Sequence, residues 1–366
     1  MRLKKGPPDI ALFIITLILI SLGLVMVFSS SAVTANVKYG DAYYFFKKQL
    51  LWALIGIIAM IVVMKLNYNK LKALAIPLMI FTIICLILVL TPLGSSAKGA
   101  TRWLGLGPIA FTPSELAKLA IVLFLAKVME INIDKMKYFT AGVLPYLLLL
   151  AVICGLIIPQ PDLGTAFLIS ATVFFMLIAA GARISHLSIL GLAGLSALVG
   201  LIIAAPYRLI RLVAFANPWK YPSDEGFQTI QSLYALGSGG LFGMGLGRSR
   251  QKFFYLPEQH TDFIFAIIGE ELGFIGAFFL ISLFLFFAWR GFQIAIKAPD
   301  TFGSLLATGI TIMIVFQAAI NIGVVSGSLP VTGITLPFIS YGGSSLLFTM
   351  IGVGMLLNIS RYSSNH

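Results

Sequence analysis

Chemistry in this chain is most plausible around Tyr255-Leu256-Pro257-Glu258-Gln259-His260-Thr261-Asp262-Phe263, a polar run that leads directly into apolar sequence. An acid at the lip of a hydrophobic segment is costly to desolvate, so its proton affinity is open to tuning. Asp262 is therefore the expected catalytic base. Glu258, four residues earlier, would share its face only if the intervening backbone were helical, which Pro257 opposes. His260 has no second His or Cys at metal-binding spacing and reads as a hydrogen-bonding neighbour.

Other segments place polar groups where apolar sequence dominates. Arg102 and Trp103 lead into Pro113-Ser114-Glu115, with Lys118 one turn further. Proline suits a helix start, and Glu115 and Lys118, three apart, share a helix face. They make either an internal ion pair that pins packing or the lining of a polar cavity. Asp162, in Gln160-Pro161-Asp162-Leu163-Gly164-Thr165, caps a following helix or faces a ligand. Arg208, Arg211, Arg248, Arg250 and Lys252 outnumber nearby acids. Guanidinium and ammonium groups suit phosphate oxygens, whether of a substrate or of lipid headgroups. Finally, Gly327 to Ser345 carries no charge but is punctuated by proline and glycine, so it is no plain helix. It is either a plug dipping into the molecule or a binding surface, because irregular backbone at membrane depth requires cover by protein or water.

The elements that must position these groups follow from composition. The chain has 366 residues, 59% hydrophobic and only 10% charged. Apolar runs longer than ~18 residues recur from end to end, which excludes a soluble domain and indicates a polytopic all-α membrane protein. Spans are expected near 10–30, 46–65, 73–92, 113–130, 140–158, 163–182, 185–205, 263–289, 303–325 and 344–360, in a single membrane domain over 1–366 with a long loop at 206–262. The run from Ile10 to Phe28 exceeds the ~7–15 residues of a signal peptide's core and reads as an uncleaved span. Outside the long loop, thirteen Lys and Arg fall on the side of the termini, including Arg2, Lys4 and Lys5, and five on the other: Lys38, Lys47, Lys48, Lys98 and Arg102. The positive-inside rule then makes both termini cytoplasmic and the long loop external. Within that loop Gly226 to Leu236 reads as a helix with Phe227, Ile230 and Tyr234 on one face. Six glycines between Gly237 and Gly247 follow it; with no strand before them they mark tight turns, not a dinucleotide site. Cys85 and Cys154 lie in apolar runs and promise neither disulfide nor metal site.

Taken together, Arg102-Trp103, Pro113-Ser114-Glu115 with Lys118, Gln160-Pro161-Asp162-Leu163-Gly164, Pro206-Tyr207-Arg208, Gln231-Ser232-Leu233-Tyr234-Ala235, Gly245-Leu246-Gly247, Leu256-Pro257-Glu258 with Thr261-Asp262-Phe263, and Pro337-Phe338-Ile339-Ser340-Tyr341-Gly342-Gly343 resemble the SEDS family (shape, elongation, division and sporulation), the RodA/FtsW/SpoVE group. The matches span nearly the whole chain in family order. Asn217-Pro218-Trp219 and the run from Gln251 to Glu258 point to the sporulation and division branches. The resemblance implies a bacterial cytoplasmic-membrane enzyme, a peptidoglycan glycosyltransferase. It would polymerise lipid II, undecaprenyl-pyrophosphoryl disaccharide-pentapeptide, on the outer face. A class B penicillin-binding protein transpeptidase is the implied partner, with no role for nucleic acid. Asp262 is the implied essential aspartate, and Arg102, Trp103, Glu115, Lys118 and Asp162 are implied functional positions. Independently of the family, transfer to a sugar hydroxyl needs a base, and departure of a lipid pyrophosphate needs cations or a metal ion. Arg102, Arg208, Arg248 and Lys252 are candidates for the latter task; a divalent cation, Mg or Mn, is an open possibility without a recognisable ligand set. The competing expectations are a lipid II flippase, with Glu115, Lys118 and Asp162 along its pathway, and a non-catalytic scaffold for the transpeptidase.

Overall fold

The computed structural model describes residues 6–97, 100–106, 109–223 and 226–362. Arg2, Lys4, Lys5 and Lys98, used above to orient the chain, lie outside the described residues. A helix stands at each expected span: α1 (Ile10–Tyr39), α2 (Tyr44–Lys65), α3 (Tyr68–Val89), α4 (Pro113–Ile131), α5 (Leu144–Ile157), α6 (Leu163–Ala179), α7 (Ile184–Ile203), α10 (Ile264–Ile296), α11 (Thr301–Val325) and α12 (Gly343–Ser360). The long loop adds α8 (Pro206–Ala216) and α9 (Phe227–Gly239). Among the described residues eight helices are long and apolar enough to cross a membrane, α5 counting together with the π-helical turn before it as Phe139–Ile157. Of the others at expected spans, α6 is apolar but 17 residues long, and α4 carries Glu115 and Lys118.

Short polar residues set many helix starts. Carboxylates of Asp9, Asp162 and Asp300 accept from main-chain nitrogens of Leu12, Thr165 and Gly303, satisfying donors that a helix start leaves open. Pro113 occupies the first turn of α4, where a missing N–H costs nothing. Gly40 ends α1 in the left-handed conformation. One continuous apolar core runs through the bundle, with α12 packed along α2 and α10 along α11. The described chain ends meet: the Gly6 nitrogen donates to the Arg361 carbonyl at 2.7 Å.

Three features depart from the sequence reading. Between α3 and α4 stands a three-stranded antiparallel sheet, β1 (Gly94–Ala97), β2 (Ala100–Leu106) and β3 (Ile109–Phe111), which the sequence reading did not foresee. The face of α9 that packs inward is Thr229, Ile230, Ser232 and Ala235, whereas Tyr234 is exposed and stacks edge-on against Trp219 at 5.7 Å.

The third is a break in α10 at Gly273, with φ 68° and ψ −167°. A break frees backbone groups at both cut ends, and inside an apolar bundle they need partners. The glycine-rich segment after α9 supplies them: Met244 and Gly245 donate to the carbonyls of Glu270 and Glu271 at 2.9 and 3.0 Å, and Phe274 and Ile275 donate to Gly240 and Leu241 at 2.8 and 3.2 Å. This close approach requires glycine. A Cβ on Gly273 would stand 2.3 Å from the Gly243 nitrogen, and one on Gly243 would stand 2.2 Å from the Glu271 oxygen. Gly273→Ala is expected to cost at least ~1–3 kcal/mol of backbone strain. Its melting temperature in detergent should fall clearly below that of Gly237→Ala, where an added Cβ meets nothing within 4 Å. Equal melting temperatures for the two variants would contradict this packing.

Candidate active site

The uncharged segment 326–342 between α11 and α12 folds back onto the bundle, and two amides of α11 hold it there. Asn321 Nδ2 donates to the Ile334 carbonyl and to the Asp262 carbonyl, both at 2.7 Å. One turn earlier, Gln317 Nε2 donates to the Thr335 carbonyl at 3.0 Å. Further on, Ser340 Oγ donates to the Thr261 carbonyl at 2.6 Å, and the Tyr341 nitrogen donates to the His260 carbonyl at 2.9 Å. The main-chain carbonyls of 260 and 261 are thus fastened to the re-entrant segment, and that of 262 to Asn321 of α11, which also holds the segment. The Asp262 carboxylate lies over Gly333: a Cβ there would be 3.8 Å from Oδ2, and Gly333 itself adopts a φ of 75°.

On the other side of that segment stand α4, α6 and the sheet. Lys118 Nζ lies 2.8 Å from Glu115 Oε2 and donates to Gln317 Oε1 at 2.7 Å, so Gln317 links this pair to Thr335. The ion pair lies within α4, and the Lys118–Gln317 hydrogen bond fastens α4 to α11, as the packing reading of Glu115 and Lys118 requires. Asp162 caps α6 and accepts from Ser114 Oγ at 3.4 Å. Gly164, two residues on, packs so tightly that a Cβ would be 2.8 Å from the Thr332 carbonyl. Arg102, on β2, donates from Nε to the Gln160 carbonyl at 2.9 Å and from its other arm to Pro161. Trp103 follows it in the strand, opposite Ser95. Thr112, at the start of α4, donates its nitrogen to Ser344 Oγ at 3.2 Å. Four segments far apart in sequence, around 102–118, 160–165, 258–263 and 327–345, therefore meet about one re-entrant turn.

The remaining sequence candidates separate. Arg248 is exposed, as an anion-binding side chain must be. Lys252 is not: it is 4% exposed, and its ammonium donates to Glu271 Oε1 at 3.0 Å, so the expected phosphate contact is replaced by an internal ion pair. Arg208 donates to the Leu201 carbonyl at 2.9 Å and ties α8 to the end of α7. Glu258 does not stack beneath Asp262. It sits at φ 55°, its carboxylate accepts from Thr261 Oγ1 at 2.9 Å, and its carbonyl accepts from the nitrogens of Thr261 and Phe263. Its place is in the turn that presents Asp262. The described residues gather no group of three or more His, Cys, Asp or Glu suited to a metal ion.

Sequence reasoning missed Gln317 and Asn321 on this side, and Glu270 and Glu271, both buried, behind it. The signal was present: polar groups within long apolar runs are costly unless they have partners.

A family model described as cell cycle protein, covering FtsW, RodA and SpoVE, matches residues 10–365. Stage V sporulation protein E of Bacillus subtilis (strain 168) is 51% identical over 364 residues, covering 99% of this chain and all of that protein. A probable peptidoglycan glycosyltransferase FtsW of Geobacter sp. (strain M18) is 46% identical over 361 residues, 98% of each. Among solved structures, a chain from a study of polymerization and crosslinking by a peptidoglycan synthase complex superposes with a TM-score of 0.80 at 32% identity, covering 97% of this chain and 98% of that one. The rod shape determining protein RodA of Thermus thermophilus superposes at 0.73 with 31% identity, covering 98% of both.

Proposed function

The chain belongs to the FtsW/RodA/SpoVE family of cell cycle proteins, and from that membership we propose that it is the peptidoglycan glycosyltransferase of a membrane-bound synthase, polymerising lipid II in cell division or spore cortex synthesis. The observation that carries this reading is the convergence of four polar segments on the re-entrant turn that seats Asp262. The protein is integral to the bacterial inner membrane and crosses it several times. Both termini face the cytoplasm in this reading, which puts Asp262 and the long loop at the outer face, where a glycan strand must grow.

The reaction forms a bond between an acceptor sugar hydroxyl and the donor's anomeric carbon. The bond from that carbon to the lipid pyrophosphate breaks, and configuration inverts. A neutral hydroxyl is a poor nucleophile; the Asp262 carboxylate takes its proton as the new bond forms. Charge developing on the pyrophosphate is met by cations already in place, which is worth most where water is excluded. Arg248 is the exposed candidate for that role, with Arg102 at the rim formed by β2 and the start of α6. Lys118 and Gln317 link α4 to the re-entrant segment at Thr335, with Glu115 paired to Lys118 and Asp162 holding the start of α6 against Ser114 of α4. A single-span class B transpeptidase is the partner, supported by the likeness to a chain of a peptidoglycan synthase complex.

The flippase reading would string Glu115, Lys118 and Asp162 along a pathway, yet each of them is engaged with a neighbour. Purified protein, its transpeptidase partner and lipid II in detergent distinguish the readings, since micelles require no transport. Glycan strands are the expected product; their absence in the presence of a folded complex would favour a flippase or scaffold.

Two loop cations are expected to behave differently in that assay. Arg248→Ala should raise the KM for lipid II, and lower kcat too if charge builds in the transition state. Lys252→Ala should instead lower the melting temperature, because it leaves Glu271 buried without its ammonium. Lys220→Ala and Arg250→Ala serve as controls. Equal small effects at Arg248, Lys220 and Arg250 would assign these exposed cations to lipid headgroups, and an unchanged melting temperature for Lys252→Ala would contradict its internal pairing.

A further inference from the structure

Two adjacent glutamates are buried on the side of the 249–263 segment away from the re-entrant turn: Glu270 is 1% exposed and Glu271 is fully buried. They close the last turn of α10 before its break at Gly273. Glu271 accepts from Ser29 Oγ of α1, from the Ser249 nitrogen at 3.3 Å and from Lys252 Nζ at 3.0 Å. Glu270 accepts from Ser249 Oγ and from the nitrogens of Arg250 and Gln251, at 2.8 and 3.4 Å. Every residue from 249 to 252 is thereby tied to one of the two acids.

The bonding continues toward Asp262. Gln259, 5% exposed, donates from Nε2 to the Lys252 carbonyl at 3.1 Å and to Thr34 Oγ1 of α1 at 2.8 Å. Between the two anchors Leu256 is fully buried, whereas Phe253, Phe254 and Tyr255 are exposed. Gln259 stands three residues before Asp262. The main chain that carries Asp262 is thus held from both sides, by Asn321 and Ser340 at the carbonyls of residues 262 and 261 and, three residues earlier, by the Gln259 side chain on Thr34 of α1.

We infer that Glu271, Lys252 and Gln259 are positioning residues for Asp262: a buried hydrogen-bonded frame, anchored on α1 and on the broken turn of α10, that fixes the 249–263 segment at the distance the proton transfer needs. The inference rests on the glycosyltransferase reading. Charges this deeply buried are costly to assemble, and replacing such a pair by neutral side chains of similar volume is often harmless to stability. Their use here is geometric: a misplacement of about 1 Å at a reacting group costs up to about 10²-fold in rate.

The test compares wild type with Gln259→Ala and with the paired variant Lys252→Met/Glu271→Gln, each purified with the transpeptidase partner. Lipid II titration separates kcat from KM, and hydrogen–deuterium exchange follows peptides covering 249–263. Both variants are expected to keep the KM, to lose roughly ten- to hundredfold in kcat, and to exchange faster over 253–262 than wild type. Gln259→Ala leaves the charge pair in place, so the test survives misfolding of the paired variant. A raised KM with unchanged kcat would overturn the inference in favour of substrate contact by Lys252. Unchanged exchange would overturn it directly. If wild type makes no polymer while exchange still rises in both variants, the frame stands and the glycosyltransferase reading fails.

Discussion

Lys118→Ala is expected to lower both the melting temperature and polymerisation, because one ammonium serves two buried partners. Lys118 is 4% exposed, with Glu115 Oε2 at 2.8 Å and Gln317 Oε1 at 2.7 Å. Truncation leaves a carboxylate and an amide oxygen facing each other without the cation, and removing one partner of a buried pair costs ~3–5 kcal/mol. Glu115→Ala should be milder, since the Glu115 side chain retains 15% exposure against 5% for Lys118. The reversed pair, Glu115→Lys with Lys118→Glu, should recover stability better than activity. A carboxylate at 118 meets Gln317 favourably only if the amide turns, which withdraws its N–H from the Thr335 carbonyl and loosens the re-entrant segment. Melting curves in detergent beside polymerisation rates check this. Lost polymer from Lys118→Ala at an unchanged melting temperature would mean that the ammonium serves the substrate instead of the packing.

The sequence was most legible where one physical rule dominated. Long apolar runs placed the helices, and Asp162 and Pro113 marked the helix starts that the structure shows, because a capping carboxylate and a first-turn proline each act over a few residues. The irregular character of 327–342 was also readable, since proline and glycine without charge leave few other options, although the expected stretch ran three residues into α12.

What stayed hidden depended on partners distant along the chain. Nothing local to Lys252 reveals that Glu271, nineteen residues on, takes its charge. The break at Gly273 is invisible in a helix-like apolar stretch until the glycines of 240–247 are seen to pair with its open ends. The sheet at 94–111 is too short for alternation to stand out. Gln317 and Asn321 were legible in principle, as amides one turn apart in an apolar span, but their work is to gather segments whose meeting is a tertiary fact.

Asp262→Asn is expected to have the largest effect on turnover with the smallest effect on the fold. The change is nearly isosteric, and the Asp262 group that Asn321 holds is the main-chain carbonyl, which the substitution leaves in place. Gly333 beneath the side chain leaves room for an amide as readily as for a carboxylate. An amide, however, accepts no proton at neutral pH, and loss of a general base costs ~10²–10⁴ in rate. The decisive measurement is lipid II polymerisation by the purified protein with its transpeptidase partner, wild type beside Asp262→Asn, each with a melting curve. Abundant glycan strands from wild type, and a rate lower by ~10²–10⁴ from an Asp262→Asn protein that melts at the same temperature, are predicted. Near-wild-type polymer from the folded Asp262→Asn protein would contradict proton abstraction by Asp262.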